Sequence, residues 1–208
     1  MSPFARLNIP KNPRSDGTGP NPRCLRRDIN RNAAMGATAD RAYSLITNNS
    51  NIDGFYNQLL GNPPPKNDLY PWGVSINPYS LLRNAEANPR VNNPPKHQIH
   101  TAGHYIHAVD PGGDPATSPG DPVFYFHHGA LDRLWWIWQM QDPDKRLNAV
   151  PTGRGASMPD MPGMGGGSSG PDLSKAVIDL EWLAGPIPLL EAHDQLGGNG
   201  GAFCYIYV

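Results

Sequence analysis

Residues 121–139 read DPVFYFHHGALDRLWWIWQ, and this stretch decides the fold class. Asp121-Pro122 is a helix-start signal, an N-terminal acceptor side chain followed by a proline in the first turn. Behind it, Phe124, His128, Leu131, Trp135 and Trp138 follow one another at offsets of four, three, four and three. Those offsets lie on one face of an α-helix. A histidine therefore sits in the middle of an aromatic, core-facing stripe.

Working upstream, a second helix is marked by Asn93-Pro94 at its start and Asp110-Pro111-Gly112-Gly113 at its end. Between them lie His97, His100, His104 and His107, within about a 90° sector of one helix. His100 and His104 have the four-residue spacing that lets two imidazoles from successive turns converge on one ion. Gly103, between them, costs about 1 kcal/mol of helix propensity against alanine, which makes sense if another helix or a ligand approaches closely there. With His128 the set becomes three neutral imidazoles and an open position. Such a nitrogen-only site suits copper, zinc or iron and disfavours calcium and magnesium. A mononuclear zinc hydrolase fits less well, because no Glu lies in 97–128 to serve as general base. His97 and His107 read as polar flanks, and His127 as a structural hydrogen-bonding residue. His193 stands alone.

The rest of the chain is built around long irregular connections. Gly and Pro supply 23 and 24 of 208 residues, too many for a bundle with short loops. Residues 1–36 read as an extended, basic lead-in, and 37–208 as one domain. Short helices are expected at 38–49, with Thr38 as N-cap, at 51–60, at 80–89 and at 172–184. The final AFCYIYV (202–208) has the composition of a strand. The fold class expected is mainly α: an antiparallel helix pair carrying the histidines, long Pro/Gly-rich loops and a short C-terminal strand.

Lys+Arg and Asp+Glu number 17 and 18, so no nucleic-acid or other polyanionic partner is implied. No apolar run is long enough to span a membrane, and MSPFARLNIPKNPR lacks the apolar stretch of a signal peptide. Cys24 and Cys204 allow one disulfide or none. Met158, Met161 and Met164 are thioethers three residues apart, but in a Gly/Pro/Ser loop, where a copper-delivery role is the weaker reading.

The run 121–139 resembles the second copper-binding signature of the tyrosinase family: D-P-x-F, three residues, His, three residues, Asp. Asp121, Pro122, Phe124, His128 and Asp132 match it, and Arg133 and Trp135 match its usual continuation. HTAGH (100–104) resembles the H-x-x-x-H element that carries the other two ligands of that copper. GGDPATSPGDPVFYFHHG (112–129) is similar to the short fungal tyrosinases, and CYIYV (204–208) to the tyrosine motif closing their catalytic core. The resemblance implies a type-3 copper oxidoreductase, a polyphenol or catechol oxidase that takes phenolic substrates and O2. It implies copper on His100, His104 and His128, with Asp132 and Arg133 making supporting or packing contacts. It also places Thr101 where members that hydroxylate monophenols often carry an Asn that orients water. A hydroxyl orients water less well, which counts against monophenol chemistry.

A complete member of that family uses two coppers and six histidines. Residues 1–96 contain no histidine, so the chain is expected to hold one copper and to correspond to the second copper half alone. Three origins stay open: a truncated gene product, a shortened piece, or one part of a cleaved protein. The expected behaviour is oxidation of o-diphenols to o-quinones only when a first copper site completes the enzyme, and little or no activity in isolation. The competing reading is a non-catalytic remnant or scaffold that binds at most one metal. Loss of a first half would bare Phe124, Trp135 and Trp138, favouring self-association or pairing with that half. The family is largely secreted, while no leader is legible here.

Overall fold

The structure is a computed structural model that describes residues 8–11, 20–25, 27, 29–60, 98–107, 111–113, 118–151, 173–179, 182–197 and 203–208. The described elements are mainly helical, as expected. In chain order they are β1 (Asn8–Lys11), β2 (Pro20–Cys24), α1 (Arg31–Ala34), α2 (Ala39–Thr47), α3 (Ile52–Leu60) and α4 (Ile99–Ile106). A 3-10 turn, Ser118–Gly120, leads into α5 (Val123–Gln139), followed by α6 (Pro143–Arg146) and a second 3-10 turn, Leu173–Lys175. Two short strands, β3 (Val177–Ile178) and β4 (Ile187–Pro188), precede α7 (Leu189–His193). The helix expected at 80–89, the start signal at Asn93-Pro94, His97 and the methionines of 158–164 lie outside the described residues. No described helix is long and apolar enough to cross a membrane.

The chain separates into two compact units, Met1–Leu45 with Gln58–Leu131, and Ile46–Asn57 with Asp132–Val208. In the first, β1 and β2 pair antiparallel with an irregularity between Ile9 and Lys11. The described end of the lead-in is tied to this unit. The backbone N–H of Asn30 donates to the Ile106 carbonyl (3.0 Å), and α1 packs on α4. Arg27 grips the buried carboxylate of Asp121 with two hydrogen bonds, Nε at 2.9 Å and Nη2 at 2.5 Å. That carboxylate also caps α5 by accepting from the Val123 N–H (3.0 Å), so the Asp-Pro start signal works as its chemistry suggests. Thr38 caps α2, its hydroxyl oxygen 3.4 Å from the Arg41 N–H. Leu25, Ala33, Leu45, Leu59, Ile99, Ala102 and Leu131 are buried here.

The second unit is organised around aromatic rings. Phe55 and Trp138 are fully buried and stacked at 4.7 Å, and Trp135 meets Phe55 edge-on at 5.5 Å. The indole N–H of Trp138 donates to the Asn49 carbonyl (2.7 Å), and the Arg146 guanidinium lies 4.6 Å over its ring. Of the residues expected to be bared, Trp138 is 0 % exposed, while Phe124 and Trp135 are half-buried; the exposed large apolar residues of α5 are Tyr125 and Phe126, the latter 79 % exposed.

Two further elements differ from expectation. The helix expected at 172–184 is one 3-10 turn followed by β3, which pairs antiparallel with β4 (Val177↔Pro188, Ile178↔Ile187). β-branched Val177 and Ile178 suit a strand, and the partner strand supplies the hydrogen bonds that a helix would otherwise make. Residues 203–208 form no strand. Their tyrosines turn to Asp132 instead: Tyr205 donates through its hydroxyl at 2.8 Å and Tyr207 by a short contact, while Gln195 adds its amide at 3.0 Å. One carboxylate with three donors holds the tail by side chains rather than by a ladder.

Candidate metal centre

The centre lies in the first unit and grows from α4. Gln98 is extended, and the first helical residue is Ile99. Ile99, Ala102 and Gly103 face the interior, leaving His100 and His104 on one half-buried side a turn apart. Their Nε2 atoms are 3.1 Å from each other. Nδ1 of His104 lies 3.0 Å from the Gly112 carbonyl and 3.1 Å from the Ser118 hydroxyl. A carbonyl only accepts, so Nδ1 carries the proton, and Nε2 of His104 is left as a lone pair aimed at His100. His100 then either bridges the two nitrogens with its own proton or, with that proton on Nδ1, turns a second lone pair into the same space.

α5 supplies the other two imidazoles. Nδ1 of His128 donates to the Phe124 carbonyl one turn back (2.8 Å), which leaves its Nε2 as the lone-pair nitrogen. Its ring lies 5.4 Å from that of His100, 5.0 Å from that of His104 and 4.0 Å from that of Phe124. Nε2 of His127 donates to the His100 carbonyl (2.9 Å), the structural hydrogen bond expected of that residue. His127 does more than that. Among the described residues, the group whose donor atoms all lie within 4.8 Å of one another is His100, His104 and His127.

Gly103 makes this approach possible. A Cβ there would stand 2.0 Å from Cε1 and 2.4 Å from Nδ1 of His127, so the imidazole lies directly on the glycine backbone. The close approach inferred from glycine in mid-helix is thus real, and the approaching group is a histidine.

Burial holds His100, His104 and His127 neutral. Desolvation, then the neighbouring imidazoles, lowers His100 from 6.5 to about 3. His104 falls to about 4 by burial and by His127 and His128, partly offset by its bond to Gly112. Burial likewise brings His127 to about 4, its bond to the His100 carbonyl opposing the fall. A neutral imidazole keeps the lone pair that a metal requires, so the donor set fits a nitrogen-preferring transition metal.

The other residues singled out by the sequence are placed as follows. The Thr101 hydroxyl donates to the Leu60 carbonyl (3.0 Å) and so is committed to the backbone. Asp132 serves the C-terminal tail, and Arg133 donates to the Val208 carbonyl (3.3 Å). His107 is the C-cap of α4 and shares a small cleft with His104, Gly112 and Asp121. His193, its basicity lowered by burial, packs its ring 5.6 Å from Trp135. Cys24 and Cys204 are exposed free thiols. Gly112 and Ser118 escaped the sequence reading, since nothing local marks a turn as the partner of a histidine one helix away.

This fold and histidine cluster define a helical protein with a candidate transition-metal centre. The pattern of the common central domain of tyrosinase matches residues 1–141, and the chain belongs to the tyrosinase family. It is 34 % identical over 144 residues to the tyrosinase-like protein orsC of Emericella nidulans, covering 68 % of this chain and 29 % of that one. Tyrosinase ustQ of Aspergillus flavus is 35 % identical over 91 residues, 44 % of this chain and 22 % of its own length. N-acetyl-6-hydroxytryptophan oxidase ivoB of Emericella nidulans is 34 % identical over 99 residues, 45 % and 24 % of the respective chains. A solved polyphenol oxidase of Thermothelomyces thermophila (mutant G292N) superposes with a TM-score of 0.68 at 25 % identity, over 99 % of this chain and 50 % of that one. The chain thus spans less than a third of these curated relatives and half of the solved enzyme.

Proposed function

We propose that this chain carries the second copper site of a type-3 polyphenol oxidase, with His100, His104 and His128 as ligands. Completed by a first copper site, it oxidises o-diphenols to o-quinones with O2. The observation that carries the reading is the pair of Nε2 atoms of His100 and His104 at 3.1 Å, one of them held as a lone pair by Gly112. Copper, when bound, supplies the redox chemistry and the means of engaging O2. The chain's own residues orient and desolvate. Gly112 and Ser118 hold the His104 ring, and the Phe124 carbonyl holds that of His128. Phe124 packs its ring against His128.

A phenolic substrate class is supported by the names of the relatives, a polyphenol oxidase and an N-acetyl-6-hydroxytryptophan oxidase. The Thr101 hydroxyl spends its proton on the Leu60 carbonyl and keeps only acceptor lone pairs for a water, which favours diphenols over monophenols. Exposed Tyr125 and Phe126 offer apolar area for a first-site half or a second copy of this chain.

Copper content after loading and dialysis tests the reading. About one ion per chain is expected, falling steeply in His100→Ala. Equal copper in both proteins refutes the site. Addition of a first-site half should raise o-diphenol oxidation from near zero, and a chain that gains nothing would favour the scaffold reading.

A further inference from the structure

The tail brings oxidisable rings together around one carboxylate. The Tyr207 ring lies 6.0 Å from that of Trp136, and the Tyr205 ring lies 5.7 Å from that of Tyr207. Both tyrosine hydroxyls donate to the same oxygen, Oδ2 of Asp132. Phenol and indole rings are among the side chains most easily stripped of one electron. A phenol sheds its proton as it does so, and a carboxylate within hydrogen-bond reach is placed to take that proton. Burial and the bond to Asp132 raise both phenols, Tyr207 to about 12, so each keeps its proton until it is oxidised. Trp136 differs. Its buried indole N–H has no hydrogen-bond partner among the described residues, so an oxidised Trp136 has no acceptor for its proton and stays a cation. Exposure rises along the set, from half-buried Trp136 and Tyr207 to Tyr205, which is 38 % exposed.

We propose that Trp136, Tyr207 and Tyr205 form a redox relay that carries an oxidising equivalent from α5 to the surface, with Asp132 as its proton acceptor. The relay is independent of the copper-site reading. A radical-type, one-electron oxidant takes an electron from Trp136 and leaves the indole radical cation. One electron then passes from Tyr207 to Trp136, and the Tyr207 hydroxyl proton passes to Oδ2 of Asp132. The products are neutral Trp136, a neutral phenoxyl on Tyr207 and a carboxylic acid on Asp132. Between the tyrosines the exchange repeats. Tyr205 gives its electron to Tyr207 and its proton to Oδ2, while the acid proton returns to the Tyr207 oxygen. The radical then stands on the exposed ring, where a phenolic reductant in solution quenches it by giving up a hydrogen atom.

Flash oxidation tests the relay. The full chain is oxidised by a light pulse with a ruthenium tris-bipyridyl photo-oxidant and a sacrificial acceptor, and the indole-radical and phenoxyl absorption bands are followed in time. The phenoxyl band should grow as the indole band decays, at a rate independent of protein concentration and slower in heavy water. Tyr207→Phe should slow this conversion tenfold or more, with unchanged circular dichroism. Asp132→Asn keeps an acceptor oxygen but no base, and should slow it as well. Tyr43→Phe, which removes an exposed tyrosine of α2, should leave the rate unchanged. Added catechol should quench the phenoxyl more slowly in Tyr205→Phe, and equal quenching would overturn the role of that ring. Unchanged conversion in Tyr207→Phe overturns the relay, and unchanged conversion in Asp132→Asn overturns its proton step. Should Asp132→Asn fail to fold, heavy water decides that step, since an equal rate there overturns it.

Discussion

The two ends of α5 apply one helical period to opposite purposes. Toward its N-terminus, His127 and His128 enter a half-buried cluster of imidazoles, and burial keeps His127 neutral. Toward its C-terminus, Trp135 and Trp138 meet Phe55 in a stacked aromatic core, with the Arg146 guanidinium over the Trp138 ring. The first end takes polar rings out of water, and the second gains from every ångström of apolar contact. Stability should therefore reside at the tryptophan end and metal responsiveness at the histidine end.

The sharpest way to break that contrast is Trp138→Ala. It removes the stacking on Phe55 and the donor to the Asn49 carbonyl, and a loss of about 3–5 kcal/mol is expected in a denaturant melt. A shift under 1 kcal/mol would mean that the aromatic cluster is not the stabilising core.

Acid should act at the other end. His100, His104 and His127 titrate near 3, 4 and 4 when folded and near 6.5 when unfolded, so the unfolded chain takes up protons first. The stability they contribute is present above pH 6.5 and lost as pH falls toward 4. Thermal melts of the chelator-treated protein should show this decline, and it should be flatter in a triple His→Gln variant. Parallel pH curves for the two proteins would contradict it.

Gly103→Ala sharpens the comparison at the cluster. The new methyl would meet the His127 imidazole at 2.0 Å and displace it. Overpacking of about 1–3 kcal/mol is expected. Copper affinity should fall by more than that destabilisation predicts, read by competition with a chelator. Unchanged affinity at reduced stability would separate the glycine from the metal site.

The smallest effect belongs to the tail. Tyr207→Phe removes one of three donors to Asp132, and about 1 kcal/mol is expected because Tyr205 and Gln195 remain. Copper content should not change. A loss of copper in this variant would show that the Asp132 cluster governs the metal site after all.

Local chemistry was legible from residues in order along the chain. The Asp121-Pro122 start, the Thr38 cap, the stripe of α5 and the His100–His104 spacing follow from the helical period and from what each side chain can donate or accept. Gly103 announced a close approach without saying of what. Regions governed by distant partners read wrongly: Val177–Ile178 pairs as a strand because β4 is available, and 203–208 is held by the carboxylate of Asp132 rather than by a neighbouring strand. Sequence alone assigned His127 a structural hydrogen bond, and only the fold supplied its partner, the His100 carbonyl. Which lone pairs face one another depends on where Gly112, Ser118 and the His100 carbonyl sit in space, because an imidazole's free nitrogen is chosen by the partner of its other nitrogen. Helical spacing decided that histidines would gather, and tertiary packing decided which of their nitrogens could bind.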